Sequence, residues 1–170
     1  MKLHITTATH RDQNITGYIR LSEFETVNST LKKISELIRE NFDTTSDPEI
    51  GIPSVILYYT DTDGDIASIL CATTTMHELP VSVLVTEIPC TYVYYVCTLE
   101  KYRGQGLCKK LFETLFKICK SNGINRVLID VDISNIIARG VYDKLGFTSV
   151  GSMTDVDGVE HDILALKLDS

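Results

Sequence analysis

Along residues 2–9 apolar and polar positions partly alternate, which predicts a strand with one buried face. From Val27 onward the period changes. Val27, Leu31, Ile34, Leu37 and Ile38 recur at three- and four-residue intervals, so one face of a helix is apolar. Ser22-Glu23-Phe24-Glu25 fits a capping box at its start, and the helix is expected to run to about Asn41. Residues 43–53 are polar, hold two prolines and a glycine, and read as a loop. Residues 54–60 and 66–75 are apolar, β-branched runs around Asp61-Thr62-Asp63-Gly64-Asp65, which predicts a hairpin. Those five residues imitate the start of a calcium loop. Position twelve counted from Asp61 is Ala72, where such a loop needs a bidentate glutamate, so the turn reading wins.

Residues 79–88, bounded by Pro80 and Pro89, read as an extra edge segment. Residues 91–99 (TYVYYVCTL) are aromatic and β-branched enough for a central strand. A helix is expected over 106–121, with Leu107, Leu111, Leu115 and Ile118 or Cys119 on one face and Asn122-Gly123 as its C-cap. Residues 126–131 predict a strand, residues 135–145 a helix closed by Gly146, and residues 147–150 and 161–168 two last strands around Asp157-Gly158. This order predicts one domain, 1–170, built as a mixed α/β sheet layered with helices.

Composition adds exclusions. The 170 residues are 44% hydrophobic and 23% charged, ordinary for a chain that buries a core. No run reaches the length of a signal peptide or a membrane span, so a soluble, cytoplasmic protein is expected, with no membrane partner. Five cysteines (71, 90, 97, 108 and 119) show neither a CxxC pair nor a Cys/His ligand spacing. They read as thiols in a reducing compartment, with no metal site. The net charge of −7 argues against nucleic acid as a partner. Its distribution is uneven: Lys101, Arg103, Lys109, Lys110, Lys117, Lys120 and Arg126 stand against the single acidic residue Glu113. A basic segment inside an acidic chain points to an anionic ligand there.

The residues at the head of that segment fit this. In Tyr102-Arg103-Gly104-Gln105-Gly106-Leu107-Cys108-Lys109-Lys110, two glycines let the backbone turn sharply between a strand and a helix. The helix start adds N–H groups without intrahelical acceptors and the positive end of its dipole. This is a phosphate cradle. It is neither the three-glycine dinucleotide fingerprint nor a GxxxxGK[ST] loop.

The arrangement resembles the GNAT superfamily of N-acetyltransferases, which transfer acetyl from acetyl-CoA to an amine. Arg103-Gly104-Gln105-Gly106-Leu107 matches the family's turn, with Cys108 where glycine or alanine is usual. A second match, Asn135-Ile136-Ile137-Ala138-Arg139-Gly140-Val141-Tyr142-Asp143-Lys144-Leu145-Gly146-Phe147, follows at the family's distance. The resemblance implies a mixed, mostly antiparallel sheet of about six to seven strands flanked by helices on both faces. It further implies that backbone groups at Val96, Cys97 and Thr98 pair with pantetheine. Gln105, Gly106, Leu107, Cys108, Lys109 and Lys110 would hold the pyrophosphate through backbone N–H groups, Arg103, Gly104 and Asn135 would also bind the cofactor, and Tyr142 would protonate or hydrogen-bond the leaving thiolate. Cys97 and Cys108 read as packing residues, not nucleophiles.

An alkylamine with pKa about 10.4 is protonated at pH 7, so transfer also needs a proton acceptor. Several family members carry a glutamate on the strand before the turn; the aligned position here is Tyr92. Glu87 is the candidate base, a water relay through Tyr92 or Tyr94 the alternative, and Glu100 lies close to the turn. The windows that set specificity in the family, about 23–53 and 75–90, hold nine acidic against three basic residues. That balance suits a small cationic acceptor such as a polyamine, with a protein or peptide amino group as the alternative. A CoA-binding sensor without turnover is a third reading. The apolar segment 81–85 and the last strand are candidate edges for a homodimer.

Overall fold

The computed structural model describes residues 1–8, 17–20, 29–42, 49–52, 54–75 and 90–169. The strands are β1 (Lys2–Ala8), β2 (Gly17–Arg20), β3 (Glu49–Ile52), β4 (Ser54–Thr60), β5 (Ile66–Thr75), β6 (Cys90–Thr98), β7 (Arg126–Asp132), β8 (Thr148–Thr154) and β9 (Glu160–Lys167). The helices are α1 (Ser29–Phe42), α2 (Leu107–Ser121) and α3 (Ile136–Leu145), with a 3-10 turn at Glu100–Tyr102. Seven strands form one sheet in the order β1-β4-β5-β6-β7-β9-β8, flanked by helices as the sequence predicts. The main sheet contains four antiparallel pairs, β1–β4, β4–β5, β7–β9 and β8–β9, and a parallel pair, β6–β7. The parallel pair requires a crossover of a dozen residues or more, and α2 lies in it.

The strands β2 and β3 form a separate two-stranded ladder, Gly17↔Ile52 through Arg20↔Glu49. This corrects the loop expected over 43–53: its end is a strand, because pairing with a distant segment outweighs the local Pro and Gly signals. Strand β8 also runs to Thr154, four residues past the predicted end. The helix predicted from Ser22 is described from Ser29 to Phe42, and its capping box lies outside the described residues. So do the edge segment 79–88, which holds the proposed dimer edge, and Glu87.

The described chain forms two compact units, Met1–Thr73 with Tyr94–Phe112, and Thr74–Val93 with Glu113–Ser170. In the first, α1 buries Leu31, Ile34 and Ile38 against Ile56, Ile66, Ile69 and Cys71, with Tyr95 and Cys97 of β6 packed on them. Ile34 and Ile38 are fully buried, each stabilising the unit by about 1.5–3 kcal/mol. A second cluster of Ala67, Tyr102 and Leu107, joined by Tyr59 and Leu99, forms where the chain enters α2. In the second unit Val127, Leu128, Ile129, Ile163 and Leu164 are the buried centre of the β7–β9 ladder. No helix among the described residues is long and apolar enough to cross a membrane.

Candidate active site

The glycine turn is held from behind. Tyr102 is buried, and its hydroxyl donates to Asp61 of the β4–β5 turn. The other Asp61 oxygen accepts the backbone N–H groups of Asp63 and Asp65, both at 3.0 Å. The turn that imitates a calcium loop is thus a carboxylate saturated by its own backbone and one tyrosine. The hydrogen bond from Tyr102, followed by those from the backbone, holds the Asp61 carboxyl below its ordinary range. Lys101 adds a solvent-exposed ion pair with Asp65 at 3.9 Å. Three backbone bonds fold the approach: Leu99 N–H to Ala67 O, Tyr102 N–H to Leu99 O, and Arg103 N–H to Glu100 O.

Gly104 and Gly106 both stand in the left-handed region, at φ +76° and +71°, where an L side chain costs about 1–2 kcal/mol. A Cβ built on either meets nothing within 4 Å. The turn therefore presents bare backbone to open space, a cradle that side chains would fill. Lys110 N–H closes the first α2 bond on Gly106 O at 3.1 Å, leaving the N–H groups of Leu107 and Cys108 without acceptors inside the helix. Arg103, Gln105, Lys109 and Lys110 are exposed around this cradle. An anion of pyrophosphate type fits the donors and the charge.

The end of β6 is equally constrained. Its parallel ladder takes in Thr91, Tyr92 and Val93 opposite Val127, Leu128 and Ile129, and Val96, Cys97 and Thr98 lie beyond it. Ser68 of β5, itself buried, donates to Cys97 O at 3.0 Å and lies 2.7 Å from Thr98 Oγ1. Arg103 donates from Nε to Thr98 O at 3.1 Å, tying the turn to the strand it follows. Cys97 and Cys108 behave as packing residues. Burial pushes the Cys108 thiol up to about 11, with Cys97 adding to the effect, and burial raises Cys97 as well. Neither has the depressed pKa of a nucleophilic thiol.

In the second unit Asn135 caps α3, its Oδ1 accepting from Ala138 N–H at 3.1 Å. The chain leaves α3 through Gly146, with Gly146 N–H on Asp143 O and Phe147 N–H on Tyr142 O. Tyr142 is 6% exposed and meets Phe147 edge-on, ring centroids 6.0 Å apart. Arg139 fastens the helix to β9 through Asp162 and reaches Asp143 at 2.9 Å. The motif around Tyr142 thus has a capped start, a closed end and an ion-paired middle, which fixes the tyrosine's place on the unit. Glu87 lies outside the described residues, and Glu100 is exposed in the 3-10 turn.

Sequence reasoning missed one arrangement. The Tyr92 hydroxyl, named as a relay candidate, donates to Asp130 Oδ1. His161 Nδ1 lies 2.8 Å from Asp130 Oδ2, a close charge contact poorly aligned for a hydrogen bond, and His161 Nε2 lies 3.3 Å from Asp155 Oδ2. The partners come from β6, β7, β9 and the β8–β9 turn, so no local spacing could have joined them.

The family model of the acetyltransferase (GNAT) family matches residues 23–147. The chain is 29% identical over 56 residues to N-alpha-acetyltransferase 30 of Schizosaccharomyces pombe, covering 33% of this chain and 37% of that protein. It is 28% identical over 100 residues to the [ribosomal protein bS18]-alanine N-acetyltransferase of Haemophilus ducreyi, covering 59% and 60%. The matched segments thus span less than two thirds of these relatives' own lengths. In fold it is similar to Arabidopsis thaliana NAA60 in complex with acetyl-CoA, with a TM-score of 0.67, 12% identity, and 99% and 100% of the two chains covered. With a family match over more than two thirds of its length, in register with both motifs, the chain belongs to the GNAT family of acetyltransferases.

Proposed function

We propose that the protein moves an acetyl group from acetyl-CoA directly to a primary amine. The observation that carries this is the glycine turn, two left-handed glycines facing open space at the start of α2 with Arg103, Lys109 and Lys110 around it. In this reading the backbone N–H groups from Gln105 to Lys109 hold the pyrophosphate. Arg103 both supplies charge and locks the turn onto Thr98. Backbone groups of Val96, Cys97 and Thr98 hold pantetheine, and a backbone N–H there stabilises the oxyanion that develops on the thioester carbonyl. Tyr142 protonates the leaving thiolate. Asn135 acts by capping the helix that carries Tyr142. The five thiols, none of them in a disulfide, fit a reducing compartment such as the cytoplasm.

The acceptor we propose is the α-amino group of a peptide or protein. Relatives named for N-alpha and ribosomal-protein alanine acetylation support it. Chemistry supports it too: an α-amine with pKa about 7.7–8.0 is partly neutral at pH 7, whereas an alkylamine at about 10.4 is almost wholly charged. A site with tyrosine, not a carboxylate, at position 92 of the strand suits the less basic amine. A polyamine acceptor is the second reading, favoured by the acidic balance of residues 23–53 and 75–90. Incubating the protein and acetyl-CoA with an equimolar mixture of an unblocked peptide and spermidine, then separating the products by mass spectrometry, decides between them. Acetylation of the peptide at its first residue is expected. Acetylspermidine alone would replace the peptide reading with the polyamine one.

A further inference from the structure

We infer that a cleft in the first unit binds a short aliphatic carboxylate and couples it to acetyl-CoA. The cleft has a volume of about 220 Å³, opens to solvent, and is walled by α1, by the β4–β5 turn and by the segment that follows β6. Its floor is apolar: Leu37 of α1, Ile66 at the start of β5 and Leu99 just past β6. Its rim carries two cations and one anion, Lys33, Lys101 and Asp65. Neither glycine of the turn before α2 lines it, so this is a second place, apart from the pyrophosphate cradle.

The elements meet for reasons of local geometry. Lys33 stands four residues before Leu37, one turn along α1, so the two share a face. Leu99 N–H bonds to Ala67 O at 3.0 Å, which lays the segment after β6 beside the start of β5. Charge then selects the ligand. Asp65 is matched by Lys101, whose Nζ lies 3.9 Å from its Oδ2 and 4.7 Å from the centre of the Tyr102 ring. Lys33, exposed on α1, makes no ion pair among the described residues, so one cation at the rim is left over. A carboxylate supplies the matching charge, and an aliphatic tail covers Leu37, Ile66 and Leu99. An amine would meet two ammonium groups, and an inorganic anion would leave the apolar floor wet. An apolar cavity of about 150 Å³ holds benzene, so this volume suits a chain of about four to six carbons.

The walls are also the pieces that anchor the glycine turn. Asp61 heads the β4–β5 turn, takes the Tyr102 hydroxyl, and donates its own N–H to Asp65 O at 3.0 Å. Tyr102 N–H in turn bonds to Leu99 O at 2.8 Å. A ligand that spans α1, this turn and Leu99 therefore steadies the chain where it enters the cradle, and favours the turn conformation that acetyl-CoA binds. The coupling is reciprocal: each ligand raises the affinity for the other by the same factor.

The probe is hexanoate, with hexylamine and hexanol as controls that keep the tail and change the head. Binding is followed by amide chemical shifts of the isotope-labelled protein at fixed ionic strength. Hexanoate should saturate with a millimolar Kd, the affinity that about eight non-hydrogen atoms allow, and shift the amides of Leu37, Ile66 and Leu99. Each control should bind at least about tenfold more weakly. Lys33→Glu changes an exposed side chain and leaves the floor in place; it should weaken hexanoate by at least about tenfold and keep the Kd of acetyl-CoA alone within about twofold. Saturating hexanoate should tighten acetyl-CoA about fivefold in the wild type and not in Lys33→Glu. Equal binding of the three probes, shifts confined to other residues, or displacement of hexanoate by acetyl-CoA would overturn the site. Acetyl-CoA affinity unmoved by hexanoate would overturn the coupling. No readout depends on turnover, so this inference and the transferase reading fail separately.

Discussion

Two tyrosine–aspartate hydrogen bonds in this protein look alike as pairs and differ in what lies beyond them. Tyr102 donates to Asp61 and Tyr92 to Asp130. Asp61 spends its remaining oxygen on two backbone N–H groups of its own turn, so nothing further can titrate through it. Its carboxylate is a peg that holds the chain where it enters the glycine turn. Asp130 turns its second oxygen to a histidine that meets another carboxylate and water. The same donor and acceptor therefore close a turn in one unit and draw three elements together in the other. The carboxylate's second oxygen decides which.

A third tyrosine sets the scale for both. Tyr142→Phe should lower kcat by about a hundredfold or more, the span expected of a lost general acid, while acetyl-CoA affinity stays within a factor of about three. Equal loss of binding and turnover would make Tyr142 a packing residue. Next in size is the turn that Tyr102 anchors. Gly104→Ala or Gly106→Ala places a side chain in the left-handed region at about 1–2 kcal/mol, and the KM for acetyl-CoA should rise by about tenfold. An unchanged KM would take the turn out of the donor site.

The anchor itself is tested by stability. Tyr102→Phe should lower Tm at pH 7, and the difference from wild type should shrink in acid. The Asp61 carboxyl is held below its ordinary range in the folded protein, so its contribution is fully present above the unfolded value of about 3.9. It disappears as pH falls through the lower folded value. A difference that grew in acid would contradict the anchor. The smallest effect belongs to the thiols. Cys108→Ala should keep turnover within about twofold, and Cys108 and Cys71 should label slowly with a thiol reagent at pH 8, because burial pushes them up to about 11 and about 12.

Where the pattern was local, the sequence was readable. The run 91–99, the helix after Gly106 and the caps at Asn135 and Gly146 all declare themselves within a few residues, and the strands and helices follow closely. The turn glycines were equally legible, since their spacing between strand and helix is itself the chemistry. What escaped depends on partners far apart in the chain. The strand at Glu49–Ile52 forms because Gly17–Arg20 pairs with it, against the flanking Pro48 and Pro53. Asp61 reads from the sequence as a turn residue, but its bond to Tyr102, 41 residues away, has no local signal. Nor could spacing join Tyr92 to Asp130, 38 residues away, or Asp130 to His161.

The most direct test of acetyl transfer is chromatographic quantitation of free CoA formed from acetyl-CoA, with and without an unblocked peptide or an alkylamine. Chromatography avoids the signal that five cysteines would give a thiol dye. Release that depends on the amine, matched mole for mole by acetylated product, is the predicted result. Acetyl-CoA that binds but is not consumed with either amine would contradict it and leave a CoA-binding sensor in its place.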